Sequence, residues 1–272
     1  MKITLGGLLV SLCLGCGGAA GGPRELRAPR AQSDVTPPPL DGQIDDELTV
    51  QLAELMLNER ADEHAVPLLQ RALVKQPDDA RVHYLYGTLL RDRGIYAQAE
   101  ASLRRAISLD PKMAPAQAGL GLLYDLKRNH AEAQRWHAAA IALDPEVARF
   151  RNNLGFSLYL AGKNTEAVVA YESALKIDPA AARVYVNLGF AYAAMGQTAD
   201  AERAFRQTGD EAAALNNLAL AHELKGQPEK ARLLYNKALG LDPRQRAAAA
   251  NLEALDEGNQ PQIDPTPKGA TP

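Results

Sequence analysis

Cysteine is nearly absent from this chain of 272 residues: there are two, Cys13 and Cys16, both within the first sixteen positions. No disulfide framework, cysteine metal site or thiol nucleophile is therefore available beyond residue 16. Aromatic residues are 5% of the chain, with a single Trp. Charge of one sign is also lacking: 30 basic and 33 acidic side chains leave a formal charge of -3, without the basic excess that nucleic-acid binding wants. The basic and acidic residues are interspersed, as on a solvated helical surface. No phosphate-binding glycine loop and no His-x-x-Glu-His run occurs, and the five histidines, His64, His83, His130, His137 and His222, are spread over different segments. His130 and His137 straddle an expected helix start. Neither a catalytic residue nor a metal ligand is identified. No cofactor, nucleic acid or small-molecule substrate is expected, and the chain reads as a non-enzyme.

What is present is a period. Gly87, Gly121, Gly155 and Gly189 are spaced by 34 residues, and so are Ala99, Ala133, Ala167 and Ala201, and Pro77, Pro111, Pro145 and Pro179. This pattern resembles the tetratricopeptide repeat, which has small residues at positions 8, 20 and 27 and Pro at 32. The resemblance implies an all-α solenoid: a right-handed superhelix of six helical hairpins, spanning 45–257, closed by a C-terminal helix. The units run 46–79, 80–113, 114–147, 148–181, 182–211 and 212–245, with the capping helix at 246–257. Small residues at positions 8 and 20, such as Gly121 with Ala133, are expected to let paired helices approach, while larger ones at 7, 11 and 24 fill the surrounding space. Gly94, Gly162, Gly196 and Gly226 at position 15 suit a turn that needs positive φ. Asp-Pro pairs at 110–111, 144–145, 178–179 and 242–243 stop each second helix. Pro67 departs from the pattern early in a second helix, where proline is best tolerated. The fifth unit is four residues short after Phe205, which predicts a shortened second helix and a local change of stacking.

The ends of the chain read differently. Lys2 and the apolar run Ile3–Leu14 have the form of a secretory signal peptide, too short for a transmembrane helix. The run ends Leu14-Gly15-Cys16, which resembles a bacterial lipobox over residues 1–16, although Cys13 stands where Leu is usual. The resemblance implies lipidation of Cys16. An ordinary cleaved signal peptide, or an uncleaved anchor, is the competing reading. By resemblance to Gram-negative sorting rules, Gly17-Gly18 without Asp implies the outer membrane, with the chain facing the periplasm. Residues 17–44 read as a proline-containing disordered tether, and 258–272 as a disordered tail.

Within the repeats, Asn153, Asn187, Asn217 and Asn251 share position 6. In related solenoids the first helix of each unit lines the groove, and an asparagine there can bind the backbone of an extended peptide. The competing reading is that these amides bond neighbouring helices. Leu85 and Gly119 interrupt the series in the second and third units. Arg81, Arg149 and Arg183 occupy position 2, where they could hold carboxylates. Phe156, Tyr159 and Phe190, with Val186, are expected either to anchor a partner from the groove or to pack on the next unit.

The lipobox-like start, the tether, the six repeats and the segments Asn152–Gly155 and Asn216–Ala219 resemble tetratricopeptide lipoproteins of pilus and secretin assembly. Type IV pilus pilotins and TadD-like tight-adherence proteins are of this kind. The resemblance implies a scaffold that is tethered to the membrane by a lipid and binds a protein or extended peptide. A periplasmic adaptor, or a noncatalytic subunit of a cell-envelope enzyme complex, is the alternative.

Overall fold

The computed structural model describes residues 45–258. The signal segment with Cys16, the tether at 17–44 and the tail from 259 onward lie outside the described residues. Among the described residues no helix is long and apolar enough to cross a membrane. Thirteen helices and no strands are found there. The chain divides into two compact units, 45–111 and 112–258.

The first unit holds two hairpins: α1 (Asp46–Asn58) with α2 (Asp62–Lys75), and α3 (Ala80–Asp92) with α4 (Tyr96–Leu109). Its core runs through both, from Val50, Ala53, Ala65, Leu69 and Ala72 to Val82, Leu85 and Leu89. The side chain of Asp79 starts α3 by accepting from the backbone N–H of Arg81 at 2.7 Å, satisfying a donor that the first turn leaves open. Pro67 lies in the second turn of α2, deeper than the first-turn position that suits proline. Pro67 and Glu63 are both exposed, so the carbonyl that loses its intrahelical donor is on the wet side.

The second unit holds α5 (Ala114–Leu126), α6 (His130–Leu143), α7 (Ala148–Leu160), α8 (Asn164–Ile177), α9 (Ala182–Ala194), α10 (Thr198–Arg206), α11 (Glu211–Leu224) and α12 (Pro228–Leu241). The last element is α13 (Arg246–Asp256), which closes over Ala219, Ala231, Tyr235 and Ala238 with Ala248, Leu252 and Leu255. That cover is what a solenoid end requires, since a single hairpin cannot bury its own apolar face.

Three local rules of the repeat have visible causes. Gly94, Gly162, Gly196 and Gly226 end the first helices with φ between +69° and +84°. Arg60 and Arg128 hold the equivalent place in the first and third hairpins at φ +56° and +59°, a conformation that costs a residue with a Cβ. In the Asp-Pro pairs the Asp ends a helix and its carboxylate then orders the turn. Asp178 Oδ1 accepts from the N–H of Ala180, and Asp242 Oδ1 from that of Arg244, each at 3.0 Å.

The small residue at position 8 meets position 24 rather than position 20. A methyl group built on Gly121, Gly155 or Gly189 would fall within 3 Å of the side chain of His137, Tyr171 or Phe205. The alanines at position 20 are fully buried beside this contact. The short fifth hairpin is as the spacing predicts: α10 has nine residues where α8 and α12 have fourteen. Arg206 closes the abbreviated turn, pairing with Glu202 at 3.0 Å and Glu211 at 3.1 Å, and Asp210 caps α11 through the N–H of Ala213.

Candidate protein-binding site

The asparagines at position 6 are placed inside the fold. Asn153, Asn187, Asn217 and Asn251 are all at most 5% exposed. The Nδ2 of Asn187 donates to Asn152 Oδ1 at 2.9 Å, and that of Asn251 to Asn216 Oδ1 at 3.1 Å. Asn216 in turn donates to Asn217 Oδ1 at 3.4 Å. Each inter-repeat bond thus joins position 6 of one unit to position 5 of the unit before it. The exposed peptide-binding ladder is therefore corrected: all four amides are buried, and those of Asn187 and Asn251 bond the neighbouring repeat. The reason is supply. The adjacent pairs Asn152-Asn153 and Asn216-Asn217 set an amide oxygen within reach of Asn187 and Asn251 one repeat further on, and a buried amide takes the partner that is always present.

The expected aromatic anchors are corrected in the same way. Phe156 and Phe190 are 2% exposed and belong to the core that runs from α7 to α11. Phe190 meets Phe205 edge-on at 5.1 Å between ring centroids. Tyr159, tilted against Phe156 at 6.4 Å, is only half-buried. Burial pushes its phenol up to about 12. Val186 is half-buried as well.

The arginines at position 2 divide. Arg81 is used within the first unit, where it pairs with Glu47 at 3.0 Å and with Glu54. Arg149 is exposed, its guanidinium 5.6 Å from the ring centroid of Phe150. Arg183 is half-buried. Of the nine expected groove residues, then, Arg149, Tyr159 and Arg183 keep accessible surface on the first helices α7 and α9.

The structure also assembles a polar cluster that no sequence motif announces. Asp125 at the end of α5 accepts from three side chains: His130 Nδ1 and Ser157 Oγ on Oδ1, at 2.9 and 2.7 Å, and His137 Nε2 on Oδ2, at 3.0 Å. His137 and Ser157 are fully buried. His130 and His137 do not straddle a helix start, because both lie in α6, seven residues apart and so on one face. His137 Nδ1 has no hydrogen-bond partner and points at Gly121, which assigns the proton of a neutral ring to Nε2. The carboxylate stands between the hydroxyl and the imidazoles. Ser157 donates to Asp125, with the backbone carbonyl of His130 at 3.5 Å, and to no imidazole, so the group ties α5, α6 and α7 together. The signal was present in the columns of the repeat. Position 24 is Leu, Tyr or Phe in every other unit but His137 in the third, and position 10 is Leu or Ala in every other unit but Ser157 in the fourth.

Comparison with known proteins accounts for the period and the packing together. Models of the tetratricopeptide repeat match residues 63–114, 87–146, 183–212 and 212–245, and a TPR repeat model matches 157–196. No curated protein matches the chain in sequence. Among solved structures, PilF of Pseudomonas aeruginosa aligns with a TM-score of 0.60 at 19% identity, covering 79% of this chain and 97% of its own. PilW, described as a widely conserved type IV pilus biogenesis factor, aligns at 0.63 with 18% identity, covering 74% and 94%. The Cut9–Hcn1 hetero-tetramer of the APC/C aligns at 0.63 with 18% identity, covering 78% of this chain and 43% of that one. These likenesses concern the fold. With the 34-residue ladders, the position 8 to position 24 contacts and the family models in agreement, the chain belongs to the tetratricopeptide repeat family as an all-α solenoid.

Proposed function

We propose that this protein is a non-catalytic scaffold, anchored to the outer membrane through a lipid on Cys16, that holds an extended segment or subunit of a protein partner. The receiving surface lies on α7 and α9, and the partner belongs to the assembly of a pilus or secretion machine. The observation that carries the reading is the contrast between buried and accessible groove positions. The asparagines and phenylalanines are consumed by the fold, while Arg149, Tyr159 and Arg183 remain accessible on two successive first helices. Two guanidiniums with a tyrosine suit the carboxylates and backbone of an extended chain. The lipobox-like end at Cys16 supports the tether. A type IV pilus biogenesis factor with this fold over 94% of its length supports the assembly role.

The test places a photo-crosslinking amino acid at Arg149, Tyr159 or Arg183 in the full chain, with Val169 on α8 as the control. One envelope protein captured from the three groove sites and not from Val169 is the expected result. Equal capture from the control would remove the groove from consideration. Labelled palmitate should enter the wild type and not Cys16→Ala; incorporation that persists in the variant would refute the anchor.

A further inference from the structure

We propose that the outer face of α1 is a docking site for a basic amphipathic helix of a protein partner. Positions 3 and 10 of each first helix point towards the preceding hairpin. In the second hairpin they are Val82 and Leu89, in the fourth Phe150 and Ser157, in the fifth Val184 and Ala191, and in the sixth Ala214 and Ala221. None of these is more than 5% exposed. In the first hairpin the same columns hold Leu48 and Leu55, which are 45% and 48% exposed. Among the described residues no hairpin precedes α1, so the surface that these later hairpins bury is open here. Leu52 stands between them and is half-buried. The three leucines, at i, i+4 and i+7, form the stripe with which one helix packs against another.

The charges around the stripe select the occupant. At 100° per residue, Asp45 and Glu59 fall on the same side of α1 as the leucines, one at each end of the helix. Both are exposed. The first turn carries Asp46 in addition, Glu47 being taken by Arg81, and α1 contains neither Lys nor Arg, Arg60 lying just beyond it. A second copy of this face would set acidic ends against acidic ends whether the helices ran parallel or antiparallel. A helix with an apolar stripe of the same spacing and Lys or Arg at both ends would satisfy the leucines and the carboxylates together. The inference is independent of the surface proposed on α7 and α9.

The test uses the full chain and a fluorescent alanine-based helical peptide bearing Leu at i, i+4 and i+7 with Lys at both ends. A twin peptide carries Glu in place of Lys. Anisotropy titration should show saturable binding of the Lys peptide, weaker by about tenfold or more for the Glu twin and for Leu48→Ser/Leu55→Ser. Because both leucines are exposed, that variant is expected to fold. Asp45→Lys/Glu59→Lys should reverse the preference between the peptides; the Asp45 side chain makes no capping bond that the change would break. Absence of saturable binding, equal binding of the twins, or binding unaltered in the leucine variant would each overturn the proposal. So would a concentration-dependent dimer of the wild type that disappears in the leucine variant, since the occupant would then be a second copy.

Discussion

The ring of Phe205 lies so close over Gly189 that a Cβ built on the glycine would come within 2.3 Å of it. The two residues come from the two helices of one hairpin, α9 and α10, and both are buried. The same relation joins Gly155 to Tyr171 and Gly121 to His137. The missing methyl is what allows a large ring at position 24 to fill the hairpin core.

Gly189→Ala is accordingly expected to destabilise the protein by roughly 1–3 kcal/mol, the cost of overpacking a filled core. Phe205→Leu should restore part of the loss, because the first hairpin already combines Ala53 with Leu69 at these positions. Gly155→Ala should cost less, because the sixth hairpin combines Ala219 with Tyr235 in the same columns. Urea midpoints of the three variants and the double variant check this; a double variant no better than Gly189→Ala alone would sink the argument.

Asp125→Ala should be among the most damaging single changes in the second unit, on the order of 3 kcal/mol or more. It leaves His137 and Ser157 buried without their acceptor. Asp125→Asn should fall between, since an amide keeps one accepting oxygen for three donors. Chemical denaturation measures both. A loss under about 1 kcal/mol for Asp125→Ala would mean that water or a rearrangement supplies the missing partners.

Arg128→Gly should stabilise the protein by about 1 kcal/mol, as Arg128 sits at φ +59° where the hairpins with Gly162 and Gly196 need no Cβ. Its side chain is exposed. The thermal midpoint should rise; a fall would show that the arginine makes a contact worth more than the backbone strain.

Glu223 introduces a pH dependence with a definite sign. Burial raises its pKa, against the opposing effect of the hydrogen bond that it accepts from Tyr235 at 2.9 Å. A folded-state carboxyl with a raised pKa binds its proton more tightly than the unfolded chain does. Its contribution is therefore fully present below the unfolded value, about 4.3 for glutamate, and is lost as the pH rises through the folded one. Glu223→Gln keeps an acceptor for Tyr235 and cannot ionise. Relative to that variant, the wild type should lose stability between acid and neutral pH. Parallel pH profiles for the two proteins would falsify this assignment.

The 34-residue ladders were sufficient to read the hairpins, their turns and the shortened α10 from the sequence, because each rests on a local requirement. A positive φ calls for glycine at Gly162, an Asp-Pro pair ends α8 at Asp178, and four missing residues shorten one helix. These are properties of a few neighbouring residues, and the period repeats them. The use of the polar and aromatic side chains was not legible in the same way. Asn187 and Phe190 occupy positions that line a groove in related solenoids, yet here their partners are Asn152 and Phe205. Whether a position-6 amide faces water or a neighbour depends on what the adjacent repeat sets 35 residues away, as with Asn152 and Asn187. The convergence of His130, His137 and Ser157 on Asp125 is of that kind too, for it joins three helices that only packing brings together. The open leucines of α1 make the same point from the other side. Apolar residues are the rule in these two columns, and the want of a preceding hairpin among the described residues leaves them exposed. Backbone geometry is a local matter and was written in the sequence; the pairing and exposure of side chains belong to neighbours distant in the chain, and only the tertiary structure decided them.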